Sequence, residues 1–322
     1  MKSKIRQYQE MRNYGFNHII KKYADFPWYL PLPAHMEHGW TIHTEALKSD
    51  LKTDKPLMLV FSQRRQEAWR KESKIPAKIM GSPYIHFKNM QNIKKGNFAK
   101  GTVAFPSHST YDVFSYFEIE KYCEELKNLP KEFKPLTICL FYLDYIDKKA
   151  NIYRKHGFEV VTAGYKFSNS LDFVKNFYDI LSKHKYATSN TVGSYSFCAV
   201  DLNIPFFLRG DRPALESKSD INVLKYIKSG ESGVSKKANR LFSTGPIREI
   251  TPEQMIFVKE EMGTGDCLSP EQMNKLLWKY STMNAFYLKN IILFLISSLF
   301  AYLFFNTSLA GLMVWCKKKT NA

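Results

Sequence analysis

Gly101-Thr102-Val103-Ala104-Phe105-Pro106, Pro135-Leu136-Thr137-Ile138-Cys139-Leu140-Phe141-Tyr142, Phe158-Glu159-Val160-Val161-Thr162-Ala163-Gly164 and Ile204-Pro205-Phe206-Phe207-Leu208 are short apolar runs within one stretch of the chain. Each is too short for a helix and ends at Gly, Pro or polar residues, the pattern of a buried strand. Tyr186-Ala187-Thr188-Ser189-Asn190 supplies another strand end. Helical patterns separate them at 118–129, 146–155, 171–182 and 195–202. Strands alternating with helices predict a mainly parallel sheet covered on both faces. Val103, Ile138, Val160 and Phe206 are expected in its central strands.

Upstream the same grammar repeats on a smaller scale. A polar, helix-compatible opening reaches residue 23. Pro27, Pro31 and Pro33 break it and lead into Ala34-His35-Met36-Glu37-His38-Gly39-Trp40. Pro56-Leu57-Met58-Leu59-Val60-Phe61-Ser62 and Ala77-Lys78-Ile79-Met80-Gly81-Ser82-Pro83 read as strands around a charged helix at 63–73. The Lys-rich segment 89–100 is the candidate linker. Downstream, 220–243 reads as polar and irregular, while Thr251-Pro252-Glu253-Gln254 and Ser269-Pro270-Glu271-Gln272 carry helix-start signals. The expected organisation is an α/β unit at 1–97, a second at 98–250, helices crossing back at 251–285 and a membrane segment at 286–322.

That last assignment rests on residues 291–315, an apolar run with Lys289 on one flank and Lys317, Lys318 and Lys319 on the other. At 1.5 Å rise per residue, about 25 helical residues outreach a hydrocarbon core of roughly 30 Å. The opening residues lack the apolar core of a signal peptide. The expectation is a body on the cytoplasmic face of a membrane, held by a transmembrane or membrane-associated tail.

A formal net charge of +17 over 322 residues favours anionic partners such as phospholipid headgroups or nucleotide phosphates. The aromatics sit within apolar runs instead of interleaving with Lys and Arg, which argues against nucleic acid. Five scattered cysteines form no Cys-x-x-Cys and no zinc spacing with histidine, so no metal site is expected. Cys139 and Cys198 read as buried core residues.

Ligands of open α/β sheets bind beyond the carboxyl ends of the strands. Here those ends carry Ser107, His108 and Ser109, then Lys166, then Ser189, Asn190, Thr191, Gly193 and Ser194. The last group places hydroxyls and a glycine at a helix start, where amides and the helix dipole suit a phosphate. No Gly-x-Gly-x-x-Gly and no Gly-Lys-Ser/Thr occurs, so the dinucleotide fingerprint and the P-loop are absent.

The Pro-Ser-His-Ser-Thr exit, the strand ending at Gly164, and Thr-Ser-Asn…Gly-Ser-Tyr-Ser-Phe before Asp-Leu-Asn-Ile-Pro-Phe-Phe together resemble the donor half of GT-B glycosyltransferases. The pattern is similar to that of bacterial surface-polysaccharide enzymes, including the teichoic-acid polyol-phosphate transferases. The resemblance covers roughly 34–208. It implies two Rossmann-like domains facing a cleft, on the cytoplasmic face of the bacterial inner membrane. It implies a nucleotide-activated sugar as donor substrate, with no separate cofactor, and a surface glycan or lipid-linked acceptor. The donor diphosphate role maps onto Ser189, Asn190, Thr191, Gly193 and Ser194. His108, Lys166 and Arg209 would help to stabilise it, with Ser107 and Ser109 beside them.

His38-Gly39 resembles the family's His-Gly element, with His38 as the base and Glu37 orienting or replacing it. Gly39, Gly81 and His86 would line the acceptor side. The first half is shorter than usual for the family, and Asp201 is the nearest match to a carboxylate often found in the last donor helix. The absence of Asp-x-Asp argues for the metal-independent fold. Polyol-phosphate transfer or sugar-nucleotide epimerisation on the same fold is the alternative within enzymes. Outside them the alternative is a membrane-anchored scaffold with a basic lipid-binding face. Among the other histidines, His18, His156 and His184 read as surface residues, and His35 and His43 as flanks of the His38 loop.

Overall fold

The computed structural model describes residues 13–109, 113–166, 170–217, 233–243, 245–283 and the isolated positions 292, 293, 296 and 299. Three strands, the first two fully buried, form a parallel sheet in the order β1-β2-β3: β1 (Ala34–Met36), β2 (Leu57–Val60) and β3 (Ala77–Ile79). Helix α1 (Phe16–Tyr23) precedes them, α2 (Gln63–Glu72) joins β2 to β3, and α3 (Pro83–Met90) follows. Ala34-His35-Met36, read above as part of a loop, is a strand, with Ala34 opposite Leu57.

A five-stranded parallel sheet is built from β4 (Thr102–Ala104), β6 (Leu136–Cys139), β7 (Glu159–Val161), β8 (Tyr186–Ser189) and β9 (Phe206–Leu208). Its order is β7-β6-β4-β8-β9, so the chain winds outward one way from β4 and then returns to start again beside it at β8. Val103 and Ile138 lie in inner strands as expected. Val160 and Phe206 instead lie in the two edge strands, and Glu159 at the β7 edge is exposed. The connections carry α4 (Ile119–Lys127), α5 (Tyr142–Ile146), α6 (Lys149–Lys155), α7 (Asp172–Leu181) and α8 (Ser194–Asp201). The single helix expected at 146–155 is thus two, broken at Asp147 and Lys148. A ribbon of β5 (Val113–Tyr116) antiparallel to β10 (Ala214–Ser217) was not legible in the sequence.

Helix α9 (Gly233–Phe242) corrects the irregular reading over its own residues, since it buries Ala238, Leu241 and Phe242 on one face, while 220–232 lie outside the described residues. Both helix-start signals hold. In α10 (Pro252–Met262) the Gln254 amide donates to Thr251 Oγ1 at 3.2 Å, while the Thr251 amide donates to Gln254 Oε1 at 3.0 Å. Ser269 and Gln272 repeat this reciprocal cap ahead of α11 (Pro270–Met283). Gly263 ends α10 at φ 63°, and a Cβ there would lie 1.8 Å from the Phe61 carbonyl oxygen.

One apolar cluster serves both sheets. It joins Leu57, Leu59 and Phe61 to Val103, Phe177 and Phe197. The Tyr178 hydroxyl donates to the Tyr84 carbonyl at 3.0 Å, and Lys88 pairs with Asp201 at 2.6 Å, fixing α3 against α7 and α8. Asp201 is therefore committed to holding helices together. Among the described residues no helix is long and apolar enough to cross a membrane. Residues 291–315 lie almost wholly outside those described; Ile292, Leu293, Ile296 and Leu299 are helical and exposed.

Candidate active site at the carboxyl ends of the strands

The winding of the larger sheet reverses between β4 and β8, and a crevice at such a reversal is where ligands of open α/β sheets bind. The loop leaving β4 and the loop leaving β8 are tied together there. The Ser107 amide donates to Asn190 Oδ1 at 2.8 Å, and Ser189 Oγ donates to the Phe105 carbonyl at 2.6 Å. Ser189 is fully buried and also meets the Tyr195 hydroxyl at 3.0 Å and the Thr191 amide at 3.1 Å. Ser107 Oγ lies 2.8 Å from Ser115 Oγ, and Ser109 Oγ accepts from the Ser115 amide at 3.1 Å. These contacts bring the expected donor-binding residues Ser107, Ser109, Ser189 and Asn190 together at the crevice. Ser189 and Asn190 are buried in the walls of the crevice, while Ser107, Ser109, Thr191, Gly193 and Ser194 are half-exposed at its rim.

The Ser196 hydroxyl turns back to Gly193, donating to its carbonyl at 2.5 Å and accepting from its amide at 3.3 Å. That fixes the first turn of α8, whose opening amides have no intrahelical acceptor. A Cβ on Gly193 would lie 2.8 Å from the Tyr195 ring, which is stacked on Phe105 at 5.1 Å and bonded through its hydroxyl to the Thr191 carbonyl. Gly193→Val is therefore expected to push Tyr195 out of place and at least tenfold to weaken a ligand held at this turn, by the usual worth of a lost charge-assisted hydrogen bond. Titration calorimetry of the folded variant checks it.

The loop after β1 reaches this same turn. The Trp40 amide donates to Ser194 Oγ at 3.2 Å, a Cβ on Gly39 would lie 3.6 Å from that oxygen, and the Trp40 ring packs on Phe197 at 4.8 Å. Trp40 Nε1 donates to Glu261 Oε2 at 2.6 Å, and Arg64 clamps the same carboxylate while donating to the carbonyls of Thr41 and His43 at 2.7 Å. Sequence reading missed this lock of Trp40, Arg64 and Glu261, whose members come from three elements.

His38 projects from that loop with its side chain exposed. Partial loss of water around the ring lowers its pKa from the ordinary histidine value, an effect that the exposure of the side chain keeps small. Asp50 pulls it upward, while Lys166, His35 and Arg65 push it down. Glu37 is otherwise placed. Arg65 Nε donates to its Oε1 at 2.5 Å and the Phe61 amide to its Oε2 at 2.9 Å, with both side chains buried. Burial raises the Glu37 carboxyl, with Arg65 and the Phe61 amide opposing. The carboxylate therefore braces the loop and is not presented as a base. His35 forms a buried contact with Asp50 at 3.0 Å, which makes it structural too.

Lys166, in the loop after β7, acts on both His38 and His108. Its ammonium lies 5.2 Å from the Phe141 ring centre and 5.8 Å from that of Tyr14, and its own pKa is lowered by burial. His108 stacks on Phe141 at 4.5 Å and is held down to about 4, first by burial and then by Lys166 and Lys149. Both imidazoles are consequently neutral near pH 7, beside a cation.

Two expected contributors lie elsewhere, and a third, Arg209, stands beside the β8 exit, its amide donating to the Ser189 carbonyl at 2.8 Å, with its side chain turned away. Arg209 turns to α4, where its Nε donates to the Glu125 carbonyl at 3.3 Å. His86 is buried, with Nε2 2.5 Å from the Met80 carbonyl and its ring 3.9 Å from that of Tyr23. Gly81, at φ 69°, sits against Cys267. Gly81 and His86 thus line a small cavity of about 140 Å³ with Tyr23 and Cys267. His184, expected at the surface, is buried between the Ile180 carbonyl at 2.8 Å and Thr137 Oγ1 at 3.0 Å.

The depressed histidines have a consequence for stability. His43, His86, His108 and His184 are lowered, with His43 and His108 near 4. The unfolded chain takes up protons near pH 6.5 that the folded chain refuses, so stability is full above that value and falls as pH drops toward 4. Denaturant midpoints between pH 7.5 and pH 5 should fall steadily, by the standard linkage slope of about 1.4 kcal/mol per pH unit for each such group at most.

Among the described residues no cluster of three or more His, Cys, Asp or Glu side chains is arranged to hold a metal ion. Against protein-family models, curated proteins and solved structures, the chain has no match.

Proposed function

We propose that this protein transfers a sugar from a nucleotide-activated donor to a surface glycan or lipid-linked acceptor. The body is read as two Rossmann-like halves meeting near Asn97 in a GT-B-like arrangement, on the cytoplasmic face of the bacterial inner membrane. Residues 286–322 form its anchor. The observation that carries the reading is the Trp40–Ser194 hydrogen bond. Through it, the carboxyl end of one parallel sheet meets the winding reversal of the other, with His38 and Lys166 at the junction.

In this reading His38 accepts the proton of the acceptor hydroxyl as that oxygen bonds to the anomeric carbon and the bond from that carbon to the diphosphate breaks. The Lys166 ammonium and the amides opening α8 at Ser194 balance charge on the departing diphosphate. His108, held neutral, contacts a phosphate oxygen or the leaving group. Thr191 and Gly193 let the diphosphate approach the backbone.

Thermal unfolding of the protein with UDP, GDP, CDP and CMP derivatives tests it. One nucleotide series should raise the midpoint, since a ligand at 100 times its Kd stabilises by about 2.7 kcal/mol. If no nucleotide stabilises the protein while anionic vesicles bind it, the scaffold reading takes its place.

A further inference from the structure

The opposite edge of the larger sheet has a different character. Lys100, Lys134 and Lys185 stand just ahead of β4, β6 and β8 and are exposed. The segment Lys94-Lys95-Gly96-Asn97-Phe98-Ala99-Lys100 runs alongside. The Gly96 amide donates to the Ser182 carbonyl at 2.8 Å, and the Lys100 amide to the Lys183 carbonyl at 3.1 Å. On this segment Phe98 is 97% exposed, the most exposed large apolar side chain among the described residues. A cavity of about 490 Å³ opens on the same edge, lined by Lys95, Lys185 and Arg248 and by Thr251 and Pro252 at the start of α10. The acidic groups facing it are Glu249, in its lining, and Glu132, which bonds Arg248 at 2.5 Å. The cavity alone is nearly balanced, and Lys94, Lys100 and Lys134 beside it make the edge cationic.

We propose that this edge is a membrane-contact surface: Phe98 enters the interfacial layer of a bilayer containing anionic lipid, and the surrounding lysines and the adjoining cavity bind headgroup phosphates. An apolar ring flanked by lysines matches both layers of such a surface, since the ring leaves water while each nearby lysine adds roughly fivefold to partitioning. A single ring offers no platform for stacking successive bases, which disfavours a single-stranded nucleic acid. The contact does not depend on the transferase reading.

Hydrogen exchange of the full-length protein in vesicles tests this, with phosphatidylcholine alone compared with an equal mixture of phosphatidylcholine and phosphatidylglycerol. Peptides spanning 94–101 should exchange roughly tenfold more slowly in the anionic vesicles, with the difference shrinking in high salt as screening sets in. Phe98→Ser combined with Lys100→Glu should abolish the protection without altering exchange in β4 or β8, because both side chains are exposed. Equal exchange in the two vesicle types overturns the proposal. So does protection in neutral vesicles by inorganic phosphate or by a single-stranded oligonucleotide, which would assign the edge to a soluble anion or to nucleic acid.

Discussion

Replacing His38 with alanine is expected to lower turnover by about 10²–10⁴-fold, the usual worth of a general base, with donor affinity unchanged. Donor affinity is spared because the diphosphate is assigned to Lys166 and the start of α8, not to the imidazole. The pH profile adds a second signature. The base acts unprotonated, so kcat/KM should rise with pH through the His38 pKa, and that rise should sit slightly below the ordinary histidine value because the surrounding protein and Lys166 disfavour the imidazolium. Steady-state kinetics over pH 4.5–8 read both effects. Turnover near normal in His38→Ala would leave the proton without an acceptor, since Glu37 is bound by Arg65 and the Phe61 amide and His86 lies in another cavity.

Arg65→Met should produce the largest loss of stability, about 3–5 kcal/mol, because it strands the buried Glu37 carboxylate without its cation. Arg65 also donates to the carbonyls of His43 at 2.8 Å and Glu45 at 2.9 Å, so the loop carrying His38 loosens with it. Replacing both partners, Glu37→Leu with Arg65→Met, should recover most of the loss, since an apolar pair leaves no uncompensated charge. Urea unfolding of the two variants separates the outcomes. Equal losses in both would mean that the backbone contacts of Arg65, and not the ion pair, hold the loop.

The sheet of five was legible because most of its strands lie in short, largely apolar runs bounded by Gly, Pro or polar residues and separated by helical patterns, as parallel strands covered on both faces do. β1 escaped notice because His35 interrupts a run of only three residues, and its polarity is answered by Asp50, fifteen positions away. The β5–β10 ribbon was hidden for a related reason. Its strands, Val-Phe-Ser-Tyr and Ala-Leu-Glu-Ser, are mixed in polarity, and nothing local links segments nearly a hundred residues apart. The candidate site was legible as positions but not as roles. Glycines and hydroxyls after the strands marked the crevice, but only the fold shows that Ser189 is spent on Phe105 and Tyr195. Likewise Glu37 looked like a second base beside His38, and its commitment depends on an arginine 28 residues on. Trp40 stood in the quoted His-Gly-Trp element, yet its link to Ser194 spans 154 residues and leaves no trace in spacing.

The central claim is that the crevice between β4 and β8, closed by the β1 loop, holds a nucleotide diphosphate. An experimental structure of the full-length protein with the nucleotide that stabilises it most tests this directly. The account predicts the diphosphate against the Gly193–Ser194 turn, with the Lys166 ammonium on its oxygens and His38 facing the anomeric side. Nucleotide bound instead at the opposite edge, among Lys95, Lys185 and Arg248, would contradict it.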